Sequence, residues 1–104
     1  MQSSSKATAR LEICSGEFVG MVYELVADET LIGRNPTTDI TLLDQGISRE
    51  HAVLVSDASD SSHQIEDLGS TNGTRVNGKS VRTATLYGGD EIEMGHTCFR
   101  YVRD

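Results

Sequence analysis

An all-β domain, a sandwich or a barrel, is what three features of this chain predict together. Apolar residues recur with a period of two in short runs, turn-forming residues interrupt them at close intervals, and no window of helical length carries a 3.6-residue apolar stripe. Length sets the scale: 104 residues can build one core and little else. With 37% hydrophobic residues the chain is too apolar to be disordered throughout.

The first seven residues, MQSSSKA, are small and polar and read as a flexible tail, which leaves residues 8–104 as the domain. Beyond them Leu11 and Ile13 alternate with Glu12 and Cys14, the pattern of a half-buried strand. Val22 and Val26 flank Glu24, and Val53 and Val55 follow His51 on what reads as one face. Ile92 and Met94 then alternate with Glu91 and Glu93, and Phe99 and Tyr101 with Cys98 and Arg100. Between these runs lie Ser15-Gly16, Asn35-Pro36, the polar stretch from Ser56 to Ser62, Gly69 to Gly73, Asn77-Gly78 and Gly88-Gly89-Asp90. Asn77-Gly78 predicts a two-residue type I′ hairpin, because both residues tolerate the positive φ that turn demands.

Charge and cysteine usage exclude several functions. Sixteen acidic against nine basic residues give a net charge of -7, which repels polyanions and argues against nucleic-acid binding and against a polybasic membrane anchor. No apolar run approaches the ~18 residues that span a bilayer, and Met1 to Arg10 lacks the apolar centre of a secretory signal, so the chain reads as soluble and cytoplasmic. Cys14 and Cys98 form no CxxC pair, so no metal site or cofactor is expected. They read as buried, reduced thiols, with a disulfide as the lesser alternative.

Three loop segments collect polar residues able to hold an anion: Gly33-Arg34-Asn35, Ser48-Arg49-Glu50-His51 and Gly69-Ser70-Thr71-Asn72-Gly73. Loops at one end of a sandwich converge, so segments distant in sequence can share a surface. The motifs GR at 33–34, SREH at 48–51, DLGSTNGTRVNG at 67–78 and GGDEIEMG at 88–95 followed by Phe99 stand in an order and spacing that resembles the forkhead-associated (FHA) family. The likeness spans residues 8–103.

That resemblance implies a β-sandwich of about eleven mainly antiparallel strands, with apical loops that dock a threonine-phosphorylated protein or peptide. It assigns the ligand contacts to Arg34, Ser48, Arg49, Ser70, Thr71 and Asn72. Arg34 would supply the fixed cation, Ser48 and Thr71 hydroxyls to the phosphate, Arg49 a backbone amide and a second charge, and Asn72 an amide to the peptide main chain. Gly33, His51, Gly69, Gly73 and Asn77 would support the loops, and Arg75, Lys79 and Arg82 would add positive charge nearby. FHA domains are commonly joined to kinases, transcription factors, cyclases or secretion components, so a larger parent chain is a further expectation. A phosphothreonine carries roughly -1.5 to -2 charge and three acceptor oxygens, and a guanidinium with short hydroxyl donors suits it.

Two other classes compete. A phosphate-independent interaction or dimerisation module would use a sheet face. An enzyme would need Ser48, His51 and Asp67 as nucleophile, base and orienting acid, but no nucleophile elbow surrounds Ser48, so no catalysis is expected.

Overall fold

The computed structural model describes residues 8–104; the predicted tail at 1–7 lies outside the described residues. Eleven strands and no helix make up the described chain: β1 (Ala9–Ser15), β2 (Val22–Glu24), β3 (Glu29–Gly33), β4 (Ile40–Thr41), β5 (Ala52–Ser56), β6 (His63–Asp67), β7 (Thr74–Val76), β8 (Lys79–Val81), β9 (Thr83–Leu86), β10 (Glu91–Met94) and β11 (Thr97–Arg103). They form two sheets, one ordered β2-β1-β11-β10-β7-β8 and the other β4-β3-β5-β6-β9. All observed pairings are antiparallel except β3 with β4.

The inner faces of the two sheets bury Leu11, Ile13, Ile92, Met94, Phe99 and Tyr101 against Ile32, Ile40, Ala52, Leu54, Ile65 and Leu86. Burial on β1, β10 and β11 follows the alternation in the sequence, with charged residues outward. Two strands depart from it. On β2 Val22 is exposed, and just beyond its end Leu25 is buried and Val26 exposed, because β2 is an edge strand beside only β1. On β5 the buried face is Ala52 and Leu54, while Val55 is exposed and His51, buried, precedes the strand. Both faces of β5 are apolar, so periodicity could not choose between them.

The Asn77-Gly78 hairpin forms as expected: Val76 pairs with Lys79, and φ is 52° and 84° at the two turn residues. The cysteines differ from expectation. Both are half-buried rather than buried, reduced, and in contact, with their sulfurs 3.4 Å apart. Strand register causes this. Ile13 pairs with Phe99, which brings the next residues, Cys14 and Cys98, opposite each other where a bulge then shifts the ladder so that Ser15 pairs with Cys98.

Strand register decides which loops meet. Ile32 pairs with Ala52 and Ala52 with Asp67, while Met94 pairs with both Thr74 and Thr97. The β3–β4, β4–β5, β6–β7 and β10–β11 connections therefore emerge at one end of the sandwich, here called apical. The β5–β6, β7–β8 and β9–β10 connections lie at the other end. His63 begins β6 at that far end, buried, with Nδ1 2.7 Å from the Tyr101 hydroxyl.

Candidate functional site

The three apical segments are tied to one another by main-chain and side-chain hydrogen bonds. The Arg34 amide donates to the Ser48 carbonyl at 3.1 Å and the Asn35 amide to the Arg49 carbonyl at 3.1 Å, joining the first loop to the second. Gly33 permits that approach: a Cβ there would lie 2.0 Å from the Arg49 carbonyl oxygen, so any other residue would push the loops apart. The Thr71 amide donates to Ser48 Oγ at 3.0 Å, and Asn72 Nδ2 donates to the Gly46 carbonyl at 3.0 Å, joining the second loop to the third.

His51 locks this junction from beneath. Its Nδ1 accepts from the Ser48 amide at 3.1 Å and must be unprotonated, which leaves Nε2 to donate to the Gly73 carbonyl at 2.9 Å. The ring is fully buried. Because His51 meets the Ser48 backbone rather than its hydroxyl, the two do not form a nucleophile and base.

Two carboxylates shape the loops. Asp67 Oδ2 accepts from the Gly69 and Ser70 amides, both at 3.0 Å, while Oδ1 accepts from Ser70 Oγ at 2.6 Å and Thr74 Oγ1 at 2.8 Å. Burial alone would raise the Asp67 pKa, but the bonds from Ser70, Thr74 and Gly69 outweigh it and hold the carboxyl below its usual range. Asp44 does the same for the β4–β5 loop. It accepts from the Gly46 amide at 2.8 Å, the His96 amide at 2.8 Å and the Thr97 hydroxyl at 2.7 Å. Here too burial raises the pKa and the hydrogen bonds win, leaving it lowered. Sequence reasoning missed Asp44 as an organiser and considered Asp67 only as a catalytic acid. The signal was present: each is followed two residues later by glycine, the signature of a side chain that caps its own turn.

What remains unsatisfied faces outward. Arg34 is exposed, and its Nε donates to the Ile47 carbonyl at 3.0 Å, which fixes the guanidinium plane. Among the described residues no carboxylate pairs with Arg34, so its terminal nitrogens keep their charge and donors available. Ser48 Oγ accepts from Thr71, and its own proton is free to donate. The exposed Thr71 hydroxyl and Asn72 Oδ1 have no hydrogen-bond partner among the described residues, and Arg49, next to Ser48 in the second loop, is exposed. A cleft of about 460 Å³ continues from Asn72 over Gly46, Arg75 and His96.

Three expected placements change. The Ser70 hydroxyl is spent internally, donating to Asp67 and accepting from the Gly73 amide at 2.9 Å, so Ser70 builds the loop and its hydroxyl does not face a ligand. Asn77 lies at the far end, where its Nδ2 donates to Asp90 at 2.9 Å and its Oδ1 accepts from the Glu91 amide at 3.0 Å; it braces the β9–β10 turn and not the binding loops. Lys79, paired with Val76 beside that hairpin, lies at the same far end. Arg75 lines the apical cleft, and the Arg82 carbonyl accepts from the Asp67 amide at 2.8 Å, so those two do lie near the site. Gly69 and Gly73 hold φ of 77° and 84° in the third loop. Among the described residues no group of three or more His, Cys, Asp or Glu side chains is placed to hold a metal, and no helix is long and apolar enough to cross a membrane.

The fold and its apical end define a β-sandwich whose converging loops present a fixed cation and free hydroxyl donors. Residues 30–95 match the family model of the FHA domain, and the chain belongs to that family. It is 38% identical over 95 residues to the glycogen accumulation regulator GarA of Mycolicibacterium smegmatis, covering 91% of this chain and 58% of that one. The chain thus spans less than two thirds of that relative's length. Among solved structures, an FHA domain studied for phosphothreonine-dependent interactions superposes with a TM-score of 0.82 at 32% identity, covering 91% of this chain and 95% of that one. Mycobacterium tuberculosis EmbR in complex with a low-affinity phosphopeptide superposes with a TM-score of 0.85 at 36% identity, over 98% of this chain and 26% of that one.

Proposed function

We propose that the chain is a non-catalytic module that recruits its partner by reading a phosphothreonine on the apical loops. The observation that carries this reading is Arg34: an exposed guanidinium, oriented through Nε and without a carboxylate partner among the described residues, next to a Ser48 hydroxyl with a proton to give. Charge-assisted bonds from these groups distinguish a phosphate from a hydroxyl. Thr71 closes the phosphate pocket, Asn72 holds the peptide main chain, and Arg49 adds a second cation. The phosphothreonine-dependent FHA domain and the EmbR–phosphopeptide complex support the same reading by similarity. The net charge of -7 acts as background repulsion, screened beyond about 8 Å at physiological salt. The parent or partner protein this module serves is cytoplasmic in this reading.

The test is an oriented phosphothreonine peptide library with unphosphorylated and phosphoserine controls, followed by calorimetry on the selected peptide. Binding that requires the phosphate supports the reading, and equal binding of the unphosphorylated peptide replaces it with a phosphate-independent interaction module. Burying the threonine methyl is worth about 0.8 kcal/mol, roughly fourfold. A larger preference over phosphoserine needs the β-branched residue to hold the peptide extended as well.

A further inference from the structure

The apical site uses neither cysteine, yet the fold brings Cys14 and Cys98 together from opposite ends of the chain. We propose that this pair is an intrachain disulfide site that reacts with low-molecular-weight disulfides. The inference is independent of the phosphothreonine reading.

Geometry carries it. The two sulfurs are 3.4 Å apart, so closing to a bond near 2.05 Å requires a movement of roughly 1.4 Å, within reach of side-chain rotation. The β1–β11 register that pairs Glu12 with Arg100 and Ile13 with Phe99 brings Cys14 opposite Cys98 at the next position, on the same outer face, just where the ladder becomes irregular. Both thiols sit half-buried on the outer face of the sheet, where a small disulfide has access. Their other hydrogen bonds are weak ones to carbonyls, from Cys14 to Cys98 at 3.5 Å and from Cys98 to Phe99 at 3.9 Å.

The surroundings set the order of events. Burial first, then the adjacent Cys14 sulfur, and then Glu91 and Glu93 push the Cys98 thiol up to about 12. Cys14 is therefore the entry point. Its thiolate attacks one sulfur of R–S–S–R, forming a Cys14–S–S–R bond, and the departing R–S⁻ takes up the proton that Cys14 gave up. The Cys98 sulfur then attacks the Cys14 sulfur and expels the second R–S⁻, which takes the Cys98 proton. Two protein thiols become one disulfide, and one small disulfide becomes two thiols. Once Cys14 is in the mixed disulfide its charge no longer opposes ionisation of Cys98, while burial and the two carboxylates still do, so the second step is the slow one.

The bond would tie β1 to β11 immediately after Thr97, whose hydroxyl holds Asp44 in the β4–β5 loop. It would also close a span of 84 residues. Constraining so long a span favours the folded chain.

The test treats the full chain, under native conditions, with glutathione disulfide and follows it by intact mass, thiol titration and peptide mapping. The expected product has lost two hydrogen atoms, has no titratable thiol, joins the fragments containing Cys14 and Cys98, stays monomeric, melts higher, and reverts with dithiothreitol. Cys98→Ser should stop at a stable glutathione adduct on Cys14, and Cys14→Ser should react at Cys98 at least tenfold more slowly. Unresolved adducts on both cysteines, disulfide-linked dimers, an oxidised form that melts no higher, or thiols that react only after denaturation would each overturn the proposal.

Discussion

The apical and far ends of this sandwich are built by the same device and left in opposite states. At both ends a carboxylate collects backbone amides to shape a turn: Asp44 and Asp67 above, and Asp90 below, where it accepts from the Tyr87 amide at 2.8 Å. At the far end Arg10 finds carboxylate partners in Glu12 at 2.8 Å and Asp104 at 3.6 Å, and Thr8 donates to Asp104. At the apical end Arg34 is oriented by a carbonyl and has no carboxylate partner among the described residues. A surface ion pair is worth little to stability, so leaving Arg34 unpaired costs the fold almost nothing and keeps a charge ready for a ligand.

Substitutions at the two ends should separate affinity from stability. Arg34→Ala should weaken phosphopeptide binding by about 100-fold or more, since charge-assisted bonds contribute about 1.5–3 kcal/mol each, with an unchanged melting temperature. Calorimetry showing undiminished affinity would put the phosphate elsewhere. Asp67→Ala should lower both quantities. It removes the acceptor of four hydrogen bonds, and orphaned donors cost about 1–3 kcal/mol apiece; a stability loss of roughly 3 kcal/mol in urea titration and a tenfold weaker complex are expected.

Ser48→Ala should weaken binding about tenfold. The smallest effect on affinity should come from Asn77→Ala at the far end. That change should lower stability by about 1 kcal/mol through the lost turn bonds and leave the peptide dissociation constant unaltered. A changed affinity there would mean that the two ends are coupled.

Acid should separate the ends as well. The second ionisation of the peptide phosphate lies near pH 6, so affinity should fall between about pH 7 and pH 5 as the ligand loses charge. His63 is held below its ordinary 6.5 by burial and then by Arg103, so it stays neutral in the fold. The unfolded chain then binds a proton there more readily, and stability declines as pH drops below 6.5. Asp44 and Asp67, both lowered from 3.8, contribute stability that is present above that value and lost as pH falls through their folded pKa values. Calorimetric scans against pH should show a shallow decline first and loss of the folded state only below about pH 4.

Much of this was legible in the residues. The Asn77-Gly78 turn, the alternation in β1, β10 and β11, and the order of the loop motifs depend on local conformational preference and on charged outer faces, both of which a single chain displays. β5 was misread because Ala52, Val53, Leu54 and Val55 offer apolar residues to both faces. Ser70 and Asn77 were misplaced because a polar side chain in a turn does not announce whether it will bond outward or to its own backbone.

The sequence by itself determined that this chain would be an acidic, turn-rich β-sandwich with polar residues able to hold an anion clustered on three loops, since period, turn chemistry and motif spacing are properties of neighbours along the chain. Tertiary structure alone decided which of those residues stay free. Arg34 is held by the Ile47 carbonyl and forms no ion pair among the described residues, and Cys14 meets Cys98 because the β1–β11 register brings them opposite each other. Both outcomes depend on contacts between segments far apart in the chain, and those exist only once strand register has been set.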